Sequence, residues 1–241
     1  MSFTPALHAE WIKIRTLRSL TGSLGAVLLA TTVFSALASS DPGGSTGGDS
    51  LFAAFFGISF GQVAAIAFGA TAVSSEFQGG ALRVSLSAVP RRGRWFAAKA
   101  TAIAAPVLAV GLLTGFVNLA VGEAVLGSAG DKITWTQGLR GAVGCGIYLT
   151  LMALFAAGLS GVLRSGVATL SILVPFLLIA SFVIGDMSGG VADFLPDRAG
   201  QVVLHGTWDG TLGPWSGLAV CGLWTVAALG AGAWSVRRRD A

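Results

Sequence analysis

The hydrophobic positions along the chain fall into six long runs, separated by short polar or charged breaks. A helix rises about 1.5 Å per residue, so about 20 apolar residues cross a hydrocarbon core of about 30 Å. On that measure the runs predict membrane spans over 20–38, 51–74, 97–121, 139–163, 166–185 and 214–234. The first segment has a different pattern. Phe3, Leu7, Trp11 and Ile14 recur at helical spacing, with Glu10, Lys13, Arg15 and Arg18 between them. This predicts an amphipathic helix over 1–18 lying in the membrane interface, its basic residues turned to anionic headgroups. Ala36-Leu37-Ala38 has the form of a signal-peptidase site. The run before it is longer than a signal h-region, so a retained span is expected.

Within the runs, Gly57-x-x-x-Gly61 and Gly111-x-x-x-Gly115 are candidate packing faces, because small residues let helices in lipid approach closely. Gln62 and Asn118 are the polar candidates for a translocation path, and a packing hydrogen bond is the plainer role for Gln62. Pro106 and Pro175 lie inside spans, where proline is tolerated. The partly apolar stretch 191–204 leaves membrane re-entry open. The longest charged interruption is 75–96, directly after the second run. Pro90 is expected to end any short helix that begins near Ser75.

Composition supports the same picture. Hydrophobic residues make up 54% of the 241 and charged residues 11%, with a mean hydropathy of +0.77. A soluble domain carries about 25% charged residues, so this chain lacks the polar surface to face water all round. The expected fold is a single all-α polytopic membrane domain over 1–241. The net charge of +4 does not point to nucleic acid, since the basic residues sit in short clusters beside apolar runs. Cys145 and Cys221 lie inside apolar runs and are expected as buried free thiols.

Charge placement sets the orientation. With six spans, one side holds Lys13, Arg15, Arg18, Arg83, Arg91, Arg92, Arg94, Lys99, Arg164 and Arg237 to Arg239, twelve of the 15 basic residues. The other side holds Asp41, Asp49, Glu123, Asp131, Asp186, Asp193, Asp197 and Asp209, eight of the 11 acidic ones. The positive-inside rule then makes the basic side and both termini cytoplasmic, which suits a multi-pass plasma-membrane protein. Trp95 and Phe96 are expected in an aromatic belt at that interface.

The chemistry of soluble enzymes is missing. There is no phosphate-binding Gly-x-x-x-x-Gly-Lys-Ser/Thr loop, so no ATPase site of its own is expected. His8 and His205 fall on opposite sides, against a histidine metal site or a Ser-His-Asp triad. No cofactor or metal is expected, and no pair of ionisable residues sits at mid-membrane depth to drive an ion-coupled carrier.

Glu76-Phe77-Gln78-Gly79-Gly80-Ala81-Leu82-Arg83, after the second run, resembles the E-F-x-x-G-T-[LI]-R signature of ABC-2 type transporter permeases. The opening from Ala9 to Arg18, and Leu195-Pro196 with Gly200-Gln201, are similar to that family as well. One departure is Ala81, where the signature has threonine. The resemblance implies a permease subunit that exports its cargo and forms the path with a second permease copy, as a homo- or heterodimer. It implies an ATP-binding cassette subunit on another chain, docked on a coupling loop after span 2. Glu76, Phe77, Gly80, Leu82 and Arg83 would sit at that contact, and the helix bearing Trp11, Lys13, Ile14, Arg15 and Arg18 would be the family's interfacial connecting helix. A membrane enzyme using Asp186, Asp193, Asp197, His205 and Asp209, or a passive pore or scaffold, are the competing readings. The cargo is not specified by these residues.

Overall fold

In a computed structural model, residues 3–40, 48–88, 91–127, 133–177, 190, 192–208 and 210–238 are described. Among these the chain is helical and contains no strand. Five helical stretches are long and apolar enough to cross a membrane: Arg18–Ser40, Ser50–Phe77, Arg92–Leu126, Trp135–Leu163 and Pro214–Arg238. The expected fifth span at 166–185 is represented by a shorter apolar helix, Gly166–Pro175, and its remainder from 178 lies outside the described residues.

In order, α1 is Phe3–Thr16 and α2 is Arg18–Ser40. The second stretch is composite: α3 (Ser50–Phe55), α4 (Ile58–Ser74) and a 3₁₀ turn at Ser75–Phe77. The break from the expected continuous span 51–74 has a local cause. The Ser35 hydroxyl accepts the Gly57 N–H at 3.0 Å, taking that donor out of the helix ladder. α5 (Ala81–Ala88) and α6 (Arg92–Leu126) follow, so most of the expected 75–96 loop is helical, and α6 starts before Ala97. With 35 residues α6 is about 52 Å long, more than a bilayer core requires, and it runs unbroken through Pro106.

α7 (Trp135–Leu163) begins at a capping box: Thr134 accepts from the Gln137 N–H, and Gln137 accepts from the Thr134 N–H. Arg164, at φ 55°, turns the chain into α8 (Gly166–Pro175), which Ser165 caps through the Ala168 N–H. A 3₁₀ turn at Ala192–Phe194, α9 (Pro196–Gln201) and a 3₁₀ turn at Val202–Leu204 precede α10 (Pro214–Arg238). Of the stretch considered for re-entry, residues 192–204 form short helical turns packed on α7 and α10.

α7 is the most enclosed of the long helices, packed against α4, α6 and α10, while α2 and α10 are the least enclosed. Both expected glycine faces make close approaches. A Cβ at Gly57 would overlap the Thr31 carbonyl of α2, and one at Gly61 the Thr31 hydroxyl. Gly111 and Gly115 meet Gly146 and Ala142 of α7 in the same way. Buried dispersion contacts of this kind are the main attraction left between helices when lipid replaces water.

One expectation is corrected. Trp95 and Phe96 do not face outward as an aromatic belt requires. They are buried with Leu82 and Val236 in a small separate core that fastens α5 and the end of α10 to the start of α6.

Candidate functional site

The two ends of the bundle carry different chemistry. At the basic end, α1, the 75–77 turn, α5 and α6 bring five polar side chains together. Lys99 of α6 pairs with Glu76 at 2.7 Å and with Glu10 of α1. Lys13 of α1 pairs with Glu76 at 2.8 Å and with Glu10 at 3.1 Å. Ser85 of α5 donates to the second Glu76 oxygen at 2.9 Å and accepts from Lys13 at 3.2 Å.

Glu10, Glu76 and Lys99 are each only 3% exposed. Burying any one of them alone would cost several kcal/mol of lost hydration. Two carboxylates facing two ammonium groups make the cluster neutral, which is what permits the burial. Lys99 also lies over the Trp95 ring at 5.8 Å. Partial burial works against the Lys13 ammonium. Its hydrogen bond to Glu76 and the charges of Glu10 and Glu76 outweigh that and hold its pKa above the ordinary lysine value.

The five coupling candidates therefore separate. Glu76 turns its carboxylate into the bundle, and Leu82 is buried. Phe77 is half-buried, with the Arg164 guanidinium 5.5 Å from its ring. Gly80 and Arg83 are exposed. Gly79 at φ 60° and Gly80 at φ 76° form a left-handed pair that reverses the chain into α5, a conformation glycine adopts without strain. Arg83, Val84 and Ser87 form the outward face of α5, and Val84 is 72% exposed. Of the candidates on the expected 1–18 helix, Ile14 packs into the main core, Lys13 joins the ion cluster, Trp11 and Arg15 stay exposed on α1, and Arg18 is exposed at the start of α2, because the first helix ends at Thr16. Arg92 closes this end from the other side, donating to the Val236 carbonyl of α10 at 3.0 Å.

At the acidic end, Asp49 caps α3 through the Phe52 N–H at 3.0 Å and accepts the Gly206 N–H at 2.9 Å. His205 approaches Asp49 at 3.3 Å and stacks on Phe52, ring centroids 4.1 Å apart. Partial burial raises the Asp49 pKa, but the hydrogen bonds from His205, Phe52 and Gly206 outweigh it and hold the carboxyl below the ordinary aspartate value. Arg140 donates to the His205 carbonyl and lies over the Trp208 ring at 5.2 Å.

Deeper in, Tyr148 of α7 joins Gln62 of α4 to Asp197 of α9. Its hydroxyl contacts Gln62 Oε1 and lies 2.7 Å from Asp197 Oδ1, and the Gln201 amide donates to the Tyr148 oxygen at 3.3 Å and to Asp197 Oδ1 at 2.8 Å. One hydroxyl has one proton. When it serves the carboxylate, the Gln62 amide must present its NH₂ group to the phenol oxygen. Gln62 lines a cavity of about 540 Å³ here. Asn118 does not line it: that side chain is fully buried beside α2, its amide 3.4 Å from the Ser35 hydroxyl.

Among the described residues no group of three or more His, Cys, Asp or Glu side chains is placed to hold a metal ion. Asp186 and Asp209 lie outside those residues. Cys145 and Cys221 are buried free thiols. Sequence reading left the roles of Glu10, Lys99, Ser85 and Tyr148 unassigned. A usable signal did exist: Glu76 and Lys99 flank apolar runs, and each needs a counter-charge there. Neither a protein-family model nor a curated protein matches the chain.

Proposed function

We propose that the chain is the membrane-spanning subunit of an ATP-driven exporter of the ABC-2 type, working as a pair of permease copies in the plasma membrane. ATP is hydrolysed by a separate cassette subunit, and the chain itself has no ATPase activity. The basic end, with both termini, faces the cytoplasm.

The observation that carries this reading is the attachment of α5. Its outward face carries Val84, 72% exposed, and the exposed Ser87. Its inward face is tied through Ser85 to Glu76, and through Glu76 to Lys13 of α1 and Lys99 of α6. A displacement of α5 is thereby passed to the interfacial helix and to the longest span together. Glu76 acts in this scheme as the tie behind the docking helix, and the docking contact itself falls to the exposed residues.

The test is purification of the solubilised chain from its native membrane, wild type beside Val84→Arg, with ATP hydrolysis measured on each preparation. The wild type is expected to bring an ATP-hydrolysing subunit with it. Val84→Arg is expected to lose that subunit while unfolding like the wild type, because Val84 points away from the bundle. ATP hydrolysis by the chain alone, or an unchanged complex in Val84→Arg, would overturn the proposal.

A further inference from the structure

The cavity at the acidic end has the character of a ligand site. Its volume of about 540 Å³ falls within the 300–1,000 Å³ usual for small-molecule sites. One wall is aromatic: Phe52 and Phe56 meet edge to face at 5.8 Å, and the His205 ring stacks on one face of Phe52. The deep wall is polar and fixed. Gln62 is 1% exposed and Asp197 8%, and the fully buried Tyr148 hydroxyl holds both in place. Such a wall needs no rearrangement to receive a ligand, which favours binding.

Charge decides the class of ligand. The cavity is lined by the carboxylates of Asp193 and Asp197 and by one guanidinium, Arg198. Among the described lining residues the sum is two negative charges and one positive. The aromatic faces add their own negative potential, which attracts cations placed over them. A carboxylate deep in a low-dielectric cavity favours a cation far more than one in open water.

We propose that this cavity binds an amphipathic organic monocation, with its ring body against Phe52 and Phe56 and its cationic group toward Asp197. Identifying that molecule as the cargo rests on the export reading above; the binding itself does not.

The experiment uses the full chain in nanodiscs of zwitterionic lipid, with empty discs as background and no ATPase subunit present. Rhodamine 6G, an aromatic cation, and fluorescein, an aromatic anion, are titrated by fluorescence anisotropy. Saturable rhodamine binding is expected, weakened on the order of tenfold or more in Asp197→Asn, which keeps the side-chain shape and removes the charge. Phe56→Leu removes only ring area, and a several-fold loss is expected there. That variant carries the test if Asp197→Asn fails to fold. Absence of saturable rhodamine binding, binding unchanged in the variants, or fluorescein bound equally well would overturn the proposal. None of these results touches the co-purification of an ATPase, so the two proposals fail separately.

Discussion

Lys99→Met is the most informative perturbation of the basic end. Lys99 is 3% exposed and is the one cation in the cluster buried as deeply as Glu10 and Glu76. Methionine fills much the same volume, so the change is chiefly the loss of charge. It leaves two buried carboxylates facing Lys13 alone. Removing one partner from a buried ion pair costs about 3–5 kcal/mol, because the other partner is left uncompensated. Glu76→Gln should cost a similar amount, since it leaves two ammonium groups facing Glu10. The double variant restores neutrality, with Glu10 facing Lys13 at 3.1 Å. Its destabilisation should therefore fall short of the sum of the singles by at least about 1 kcal/mol, within the range for directly coupled residues. The assay is reversible unfolding in mixed micelles followed by tryptophan fluorescence, for which the chain has seven indoles. Single variants costing less than about 1 kcal/mol, or an additive double variant, would refute the burial argument.

Three further outcomes are expected. Gly57→Ala should destabilise by about 1–3 kcal/mol in the same unfolding assay, because its Cβ overlaps the Thr31 carbonyl. Gly25→Ala, with nothing within 4 Å of its Cβ, should be neutral or slightly stabilising as an ordinary helix substitution. The Asp49 carboxyl is held below its ordinary value of 3.8, so its contribution is fully present above that pH and lost as pH falls through the lower folded value. Stability measured on acidification should show this loss in the wild type and lack it in Asp49→Asn. Loss of stability on the alkaline side instead would contradict the assignment.

Hydropathy, the lengths of the apolar runs and the separation of basic from acidic residues were decided by the sequence alone. Each is a property of residues near one another along the chain, and lipid as solvent reads them directly. The packing role of Gly57 and Gly61 was legible for the same reason, since a small residue every four positions marks one helix face. The three-dimensional fold decided which charges leave the surface. Glu76 reads in sequence as the first exposed acid of a loop, and Lys99 as that loop's last base. Their partners lie far away: Lys13 is 63 residues before Glu76, and Lys99 is 23 after it. Only when α1 packs against α6 beside the 75–77 turn do these three charges meet Glu10 and neutralise one another. The same holds for Tyr148, whose neighbours Gln62 and Asp197 are 86 and 49 residues distant. Burial of a charge is a property of everything packed around it, and no local stretch of sequence contains that information.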